Sequence, residues 1–418
     1  MTIKVVIIHG TGDSSSISVT SAAALQNALK QDWPNVILHE FRHDLFDRLT
    51  ELAPGAVMFA RPLGTGCDTA DLLDALDIAG WPYVGSPPAA MAKAGNIETA
   101  KAILRSADVP ISDEFFAEDG DNLDLSPRRA FKAGQSGREL FVSVLDDPEP
   151  RALPIVENPQ CDVHAPTRMY FANEQETYLF PARLVESVAH EAQRLALTVH
   201  QLFGFRDASR TTLTLTSQGL TVSAINANPL FSKESLKAIA ARAAGYSLED
   251  LAWSHVCNAT AHHAGMLDIS SSQNGPAGML SNFHEYAFTF EGVACRSMEG
   301  LLQATKFEDA DAQRAICSLS GREAKLRGSG QNDAWQANQM LYWSGQLMRR
   351  ESNEYQNFLD RAYQALFSQS EVFRDALRQT GQAVMRHSIG ERNPRLSVLT
   401  EREFVRRLTS LRDHIAEV

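Results

Sequence analysis

Lys4 to His9 has the sequence KVVIIH, and Gly10-Thr11-Gly12 follows it directly. The β-branched run predicts a short buried strand, and the glycines predict a tight turn at its end. The next stretch, Ser21 to Lys30, has the pattern of a helix. A strand, a glycine turn and a helix in this order indicate an α/β domain, and such turns often cradle phosphate. Ordinary strand–helix turns use glycine for its geometry alone, so both interpretations of the turn stay open.

The same alternation continues along the chain. A second strand is predicted at Ala56 to Ala60, followed by the glycine-rich turn Pro62 to Gly66 and a helix from Asp68 to Ala79. A further helix contains Thr99-Ala100-Lys101. The first part of the chain is therefore predicted to be α/β.

Composition limits the classes of function. The chain has 418 residues, more than one hydrophobic core usually serves, and a prior of roughly 150 residues per domain suggests two or three domains. A net charge of −12 argues against a large non-specific nucleic-acid surface, which needs many Lys and Arg. No apolar run approaches the roughly 20 residues that span a bilayer, and the first residues do not resemble a signal peptide. We expect a soluble, cytoplasmic protein with no membrane partner.

The cysteines and histidines do not indicate a metal site. The five cysteines are far apart and form no CxxC pair, so neither a disulfide framework nor a zinc site is predicted. His262 and His263 are adjacent, and neighbouring side chains on a helix point in different directions. No metal and no cofactor are expected.

Several short motifs follow one another in the order found in a known family. They are IAGWPYVGS (78–86), Thr99-Ala100-Lys101, GREL (137–140), GFRDASR (204–210), INANP (225–229) and AGYSLEDL (244–251). Together they resemble the D-alanine–D-alanine ligase branch of the ATP-grasp superfamily over residues 1 to about 260. The resemblance implies an α/β ATP-grasp-like fold.

The departures from that family concern its catalytic parts. Such ligases hold two Mg²⁺ ions with carboxylates on their last two strands, because hard cations need oxygen ligands. Thr212 and Ala224 stand at those positions here, and only Asn226 is kept. Ser14 to Ser16 replace a substrate-binding Glu of the family.

The subdomain that covers the phosphates in this family is also expected to be missing. Too few residues lie between Glu114 and Gly137, and AEDGDNLDLSPRR within this stretch is typical of a polar connector. We therefore predict that ligase activity is lost and that this region is a binding module or scaffold. A homodimer through the ligase-like region stays open.

A change in composition predicts the domain boundary. Asp268 to Gly278, DISSSQNGPAG, is rich in Ser, Gly and Pro, as linkers and long surface loops are. The predicted organisation is a degenerate ligase-like region at 1–264, a linker at 265–278 and a mainly α domain at 279–418.

The predicted second domain contains a helix with chemical potential. Ala287 to Val293 predicts a hairpin with its turn near Glu291-Gly292, and SMEGLLQATKF (297–307) predicts the helix that follows. Ser297 is a good N-cap residue, and Glu299 lies in the first turn, where the helix dipole favours a carboxylate. The alternative is an ordinary surface stripe with an intrahelical ion pair.

Glu299, Gln303 and Lys306 share one face of this helix because they lie at positions i, i+4 and i+7. Further motifs accompany them in a familiar order, namely LSNF (280–283), REAKLRG (322–328), Trp335, HSIGERNP (387–394) and LTEREF (399–404). Residues 275 to about 416 thereby resemble the NADAR (YbiA-like) family. The resemblance implies an N-glycoside hydrolase acting on ADP-ribosylated or phosphoribosylated compounds.

The resemblance also implies roles for individual residues. Glu299 would be the acid–base group, with Lys306 and His387 as further catalytic candidates. The implied substrate-binding residues are Asn282, Phe283, Gln303, Lys325 near a phosphate and Trp335 at the rim. A structural role for His387 is an equal alternative.

Two functional hypotheses follow. In the first, the protein hydrolyses the N-glycosidic bond of an ADP-ribose-containing or ribosylated-base substrate, and modified nucleic acid is one open acceptor. In the second, both halves are non-catalytic and the chain is a nucleotide-sensing interaction module. The sequence leaves open whether Glu299 acts as acid, base or electrostatic partner.

Overall fold

The computed structural model describes residues 4–10, 17–41, 45, 57–61, 69–117, 137–158, 169–173, 176–229, 231 and 235–417. Ser14 to Ser16, the turn at 62–66 and most of the predicted polar connector lie outside the described residues. The chain divides into two compact units, Ile3–His263 and Ala264–Val418.

The first unit begins with a parallel sheet in the order β2-β1-β3-β4. Its elements are β1 (Val5–His9), α1 (Ile17–Leu29), β2 (Ile37–Glu40), β3 (Val57–Arg61), α2 (Thr69–Ile78), β4 (Tyr83–Val84), α3 (Pro88–Gly95) and α4 (Ile97–Ser106). The strands and helices predicted here are present, with bounds shifted by one to four residues. The apolar run of β1 is almost wholly buried, as expected for a central strand of a parallel sheet.

A second, larger sheet follows in the same unit, with the strand order β5-β12-β11-β6-β8-β10-β9 and β7 beside β6. Its strands are β5 (Ile111–Ala117), β6 (Arg138–Asp146), β7 (Pro150–Ala152), β8 (Val156–Asn158), β9 (Met169–Asn173), β10 (Glu176–Leu179), β11 (Ala208–Thr216) and β12 (Gly219–Asn226). The accompanying helices are α5 (Glu186–Phe203), α6 (Leu236–Ala243) and α7 (Leu248–Ala264). The motifs GFRDASR and INANP contribute to the antiparallel pair β11–β12.

The second unit is mainly helical, with short two-stranded sheets. Its strands are β13 (Met266–Asp268), β14 (Glu285–Phe290), β15 (Val293–Ser297), β16 (Met340–Trp343), β17 (Gln346–Arg349) and β18 (Val384–Arg386). Its helices are α8 (Gly275–Met279), α9 (Met298–Ala304), α10 (Ala310–Cys317), α11 (Gly321–Ser329), α12 (Asn332–Asn338), α13 (Asn353–Gln369), α14 (Glu371–Gln379) and α15 (Glu401–Glu417).

The predicted hairpin is present as β14–β15. Glu291 and Gly292 form its turn with φ of 47° and 83°. Two positive φ values match the turns whose twist suits a tight hairpin. Among the described helices, none has the length and apolar character needed to cross a membrane.

The segment 265–278 differs from the predicted linker because it is built into the second unit. It forms β13, which pairs in parallel with β18, and α8. Ile269 is fully buried, and its N–H donates to the Arg386 carbonyl at 2.8 Å. The Asp268 carboxylate accepts hydrogen bonds from the N–H and hydroxyl of Ser388. The composition indicated a loop, but contacts with residues more than 100 positions later in the sequence hold this segment in place.

Candidate functional site

Helix α9 carries Glu299 and begins as predicted. The Ser297 hydroxyl accepts a hydrogen bond from the Gly300 N–H and so caps the helix. Every residue of α9 is buried, which excludes the alternative of an ordinary surface stripe. Helix α9 packs closely against α11. A side chain added at Gly328 on α11 would overlap Gln303, and glycine has none.

The Glu299 carboxylate is held through one of its two oxygens. The Gln303 side-chain amide donates to Oε1 at 2.8 Å, and the Lys325 ammonium lies 3.4 Å from the same atom. Oε2 makes no hydrogen bond or ion pair with any described residue. The Glu299 side chain is 7% exposed, whereas that of Lys325 is 56% exposed. The carboxylate is thus fixed in place with one oxygen left for another partner.

Lys306 lies in the turn that follows α9, because the helix ends at Ala304, three residues before the predicted end, and the lysine is tied to α12. Its ammonium donates to Asn332 Oδ1 at 2.7 Å and to the Gly328 carbonyl at 3.4 Å. It also lies 5.7 Å from the centre of the Trp335 ring, within cation–π range. Burial, and after it the nearby Lys325 charge, lower the pKa of Lys306 to about 8, against the opposing effect of the Glu299 charge. Lys306 therefore changes charge near neutral pH.

A surface pocket of about 400 Å³ lies at the start of α11, and Glu299, Gln303 and Lys306 are not among the residues that line it. Phe283 and His284 line it on one side, and Arg322 at the start of α11 lines it on the other. Arg322 makes no hydrogen bond or ion pair within the described part of the chain. Lys325 is one helical turn beyond Arg322, so the two cations link the pocket to Glu299. Phe283 lines this pocket, and its role in substrate binding stays a prediction.

Gln303 and Trp335 have surroundings that differ from the expectation, and the contacts of His387 fit its structural alternative. Gln303 is fully buried and positions Glu299 instead of forming a wall open to substrate. Trp335 is 2% exposed, and its indole N–H donates to Asn332, so it is not at a rim. The ring of His387 bonds through Nδ1 to the Ile269 carbonyl and packs edge-on against Phe404. No described hydrogen bond or ion pair joins His387 to Glu299.

Two residues of this region were not predicted from the sequence. Asn332 joins Lys306 to Trp335 through a single oxygen. The Tyr363 hydroxyl, on α13, donates to Asn282 Oδ1 at 2.7 Å. Both contacts arise from tertiary packing between helices, and no local motif marks either residue.

The two strand positions that the ligase resemblance assigns to metal ligands carry no carboxylate. Thr212 and Ala224 face each other directly across β11 and β12, and both are buried. A hydroxyl and a methyl group therefore stand where two carboxylates would share the cations. Within the described residues, no group of three or more His, Cys, Asp or Glu side chains could hold a metal ion.

The first unit also contains a serine, a histidine and an aspartate in a row. His200 Nδ1 lies 2.8 Å from Ser209 Oγ, and His200 Nε2 lies 3.0 Å from Asp146 Oδ1. These residue types are those of hydrolase triads. Ser209 is fully buried and His200 nearly so. The row is therefore a structural network that ties α5 to β6 and β11.

The second unit has a recognised relative. Residues 274–413 match the family described as Bacteriophage protein GP30.3. An uncharacterized 17.1 kDa protein of the Gp30-rIII intergenic region in Enterobacteria phage T4 is 34% identical over 150 residues, covering 36% of this chain and 98% of that protein. The chain belongs to the bacteriophage GP30.3 family. The Glu299 site lies entirely within the part that matches this family.

The first unit has different relatives. Residues 131–256 match the family described as D-ala D-ala ligase C-terminus. The D-alanine–D-alanine ligase of Acidiphilium cryptum is 26% identical over 245 residues, which cover 49% of this chain and 80% of that protein. A ligase of Bacillus anthracis solved with ATP aligns with a TM-score of 0.48 and 15% identity, over 62% of this chain and 96% of that chain. The predicted ligase-like ATP-grasp domain is confirmed by the family match and the sequence relatives.

Proposed function

We propose that the GP30.3-family unit is an N-glycosidase that releases ADP-ribose or a related ribosyl group from a modified base, as the NADAR resemblance implies. The observation that carries the proposal is the Glu299 carboxylate, which is buried, fixed through Oε1 and free at Oε2. Arg322 and Lys325 supply positive charge beside it, as an anionic substrate requires. The adjacent pocket provides room for a ligand.

The chemistry needs few groups. The bond between the ribosyl carbon and the base nitrogen breaks through an oxocarbenium-like state, which a nearby carboxylate stabilises. Glu299 Oε2 accepts a proton from a water molecule as the water oxygen bonds to the ribosyl carbon. The base leaves with the bonding electron pair and takes a proton from solvent. Lys306 and Lys325 attract the phosphate groups, and Gln303 keeps Oε1 in place.

The ligase-like unit, in this proposal, selects the substrate or a partner and no longer couples D-alanine. Thr212 and Ala224 support this, since transfer of a phosphoryl group depends on Mg²⁺ held by carboxylates. Calorimetry with Mg-ATP should show no tight binding, and no phosphate should be released in the presence of D-alanine. Millimolar or tighter Mg-ATP binding together with amino-acid-dependent phosphate release would contradict the proposal.

The decisive experiment for hydrolysis offers several acceptors to the full-length protein. ADP-ribosylated DNA, RNA, protein and free nucleotides are incubated separately, and released ADP-ribose is measured by mass spectrometry. We expect release from at least one modified base, and none with Glu299→Gln. Binding of ADP-ribose without release from any acceptor would instead favour the nucleotide-sensing module.

A further inference from the structure

Asn282 is fixed at two points beside the Glu299 carboxylate. Its backbone carbonyl accepts a hydrogen bond from the Glu299 N–H at 2.9 Å. Its side-chain Oδ1 accepts one from the Tyr363 hydroxyl at 2.7 Å. Asn282 itself is only partly buried, so its amide reaches the surface of the site.

The Tyr363 hydroxyl determines how that amide is oriented. Tyr363 is 1% exposed, and burial holds the pKa of its hydroxyl far above the usual range, so the proton stays on. A buried O–H needs an acceptor, and Asn282 Oδ1 is its described acceptor. If the amide were turned over, the hydroxyl oxygen could accept from the N–H₂ group, but the buried O–H proton would lose its described acceptor.

We infer that Tyr363 is a positioning residue that makes Asn282 present its N–H₂ group to the substrate, so that the substrate group at this point is a hydrogen-bond acceptor. Asn282 Nδ2 makes no hydrogen bond with the described residues, and it is not among their buried unpaired atoms. Two chemical sources of such an acceptor exist in a ribosylated base, namely a ribose hydroxyl oxygen and a carbonyl of the base. The inference rests on the proposed function and specifies what its substrate presents.

The same helix offers a matched control. Tyr355 is also fully buried on α13, and its hydroxyl donates to the Val398 carbonyl at 2.8 Å. Tyr355→Phe and Tyr363→Phe each delete one buried hydroxyl and keep the ring. Similar losses of thermal stability are therefore expected from both. Only Tyr363→Phe releases the Asn282 amide.

The kinetic test compares both variants with wild type on ADP-ribosylated DNA and measures ADP-ribose binding by calorimetry. For Tyr363→Phe we expect KM to rise about fivefold to tenfold with kcat within about twofold, the scale of one weakened hydrogen bond. If ADP-ribose binding weakens in parallel, the acceptor is on the ribose. If only the intact substrate is affected, the acceptor is on the base. Equal changes in KM for Tyr363→Phe and Tyr355→Phe would overturn the inference.

A second measurement separates this inference from the proposed function. The side-chain amide signal of Asn282 is observed in asparagine-labelled protein and assigned with Asn282→Asp. We expect it to shift or broaden in Tyr363→Phe and to stay unchanged in Tyr355→Phe. Absence of hydrolysis and of ADP-ribose binding in wild type would remove the proposed function, but the amide signal would still test the role of Tyr363. An unchanged signal in Tyr363→Phe would refute that role.

Discussion

The Glu299 region of the second unit and the Ser209–His200–Asp146 row of the first unit are both largely buried polar networks, but they differ in which member is exposed. In the row it is the Asp146 side chain, at 15%, and not Ser209, which is fully buried. In the row, Ser209 Oγ and one Asp146 carboxylate oxygen both meet the ring of a nearly inaccessible histidine. In the Glu299 region, one carboxylate oxygen has no hydrogen bond to the described part of the chain, and the adjoining Lys325 is more than half exposed. The residue types of the row are the more suggestive of catalysis, yet the geometry favours the other site.

Access decides between the two regions, because a nucleophile or base must meet its substrate. In the row, the serine and the histidine are buried, so the network fixes neighbouring elements in place. In the Glu299 region, a carboxylate fixed through one oxygen lies 3.4 Å from a cation that is more than half exposed. The predictions below test this difference in order of expected effect.

The largest effect is expected from Glu299→Gln. The amide has nearly the same shape but cannot take a proton from water, so turnover should fall about a hundredfold or more while ADP-ribose binding is largely kept. Single-turnover hydrolysis measures the chemical step, and thermal melts confirm that the variant is folded. Near-normal chemistry in folded Glu299→Gln would exclude this residue from the mechanism and favour the sensor hypothesis.

Ser209→Ala is the counterpart in the first unit. Because Ser209 is fully buried, the variant should hydrolyse the substrate as wild type does and show only a lower melting temperature. A large loss of hydrolysis in folded Ser209→Ala would show that the apparent difference in access is wrong.

Lys306 is expected to give the next largest effect. Its pKa of about 8 means that the ammonium is lost as pH rises through 8, so attraction for an anionic substrate should weaken over that range. Lys306→Met should bind ADP-ribose about tenfold more weakly at pH 7 and lose this pH dependence. Calorimetry between pH 6.5 and 9.5 makes the measurement, and a pH response unchanged in Lys306→Met would contradict the assignment.

Lys306→Met, which should weaken ADP-ribose binding, should instead raise the folding stability. The folded pKa of Lys306 lies below the ordinary value of 10.5, so the folded state disfavours the charged form. The loss of folding stability caused by burying the charged Lys306 is therefore full below pH 8, and it disappears as pH rises towards the ordinary pKa of 10.5. Lys306→Met should melt higher than wild type at pH 7, and this difference should shrink by pH 10.

The sequence predicted the part of the site that is local. Spacing placed Glu299 and Gln303 on one helix face, where they are hydrogen-bonded, and Ser297 was recognisable as the cap. The helix ends at Ala304, so Lys306 lies in the turn after it and not on that face. Spacing does not say whether a face points inward, which is why Gln303 was expected to meet substrate. Asn332 and Tyr363 come from other helices, and their contacts depend on packing that no local pattern encodes.

The fold shows the same limit. Strand and helix order in the first unit followed from apolar runs and glycine turns. The structure of segment 265–278 did not follow from its composition. Ser, Gly and Pro indicate local flexibility, whereas Ile269 is held in place by hydrogen bonds with Arg386 and His387. The composition of a segment does not predict contacts with residues so far away in the sequence.

A smaller effect is expected from Lys325→Ala. The lysine is more than half exposed, so its attraction for a phosphate is screened by water and salt. ADP-ribose affinity should fall about threefold to fivefold at low salt, with little difference at high salt. Arg327→Ala is the control, since Arg327 is an exposed cation on the same helix with no described contact to Glu299. Equal losses of ADP-ribose affinity in both variants would show that only the total positive charge of the surface matters, and not the position of Lys325.

The smallest effect concerns the network of the first unit and involves stability alone. Asp207 is fully buried, and burial raises its pKa to about 7, with the Asp146 charge adding to the shift while Arg206 and the Gly85 N–H oppose it. The folded state therefore keeps the proton up to about pH 7, whereas the unfolded chain loses it near the ordinary value of 3.8. The contribution of Asp207 to folding stability is therefore full below its ordinary pKa of 3.8, and it is lost as pH rises through 7.

Asp207→Asn tests this directly, because asparagine does not titrate and tolerates the positive φ of 65° at this position. Between pH 5 and 8 the melting temperature of wild type should fall more than that of the variant, by a few degrees. Asp113→Asn, at an exposed aspartate, should reproduce the wild-type slope. Hydrolysis should be unchanged in both variants. If Asp207→Asn altered hydrolysis without altering this slope, the buried network of the first unit would have a functional role, and the contrast with the Glu299 region would fail.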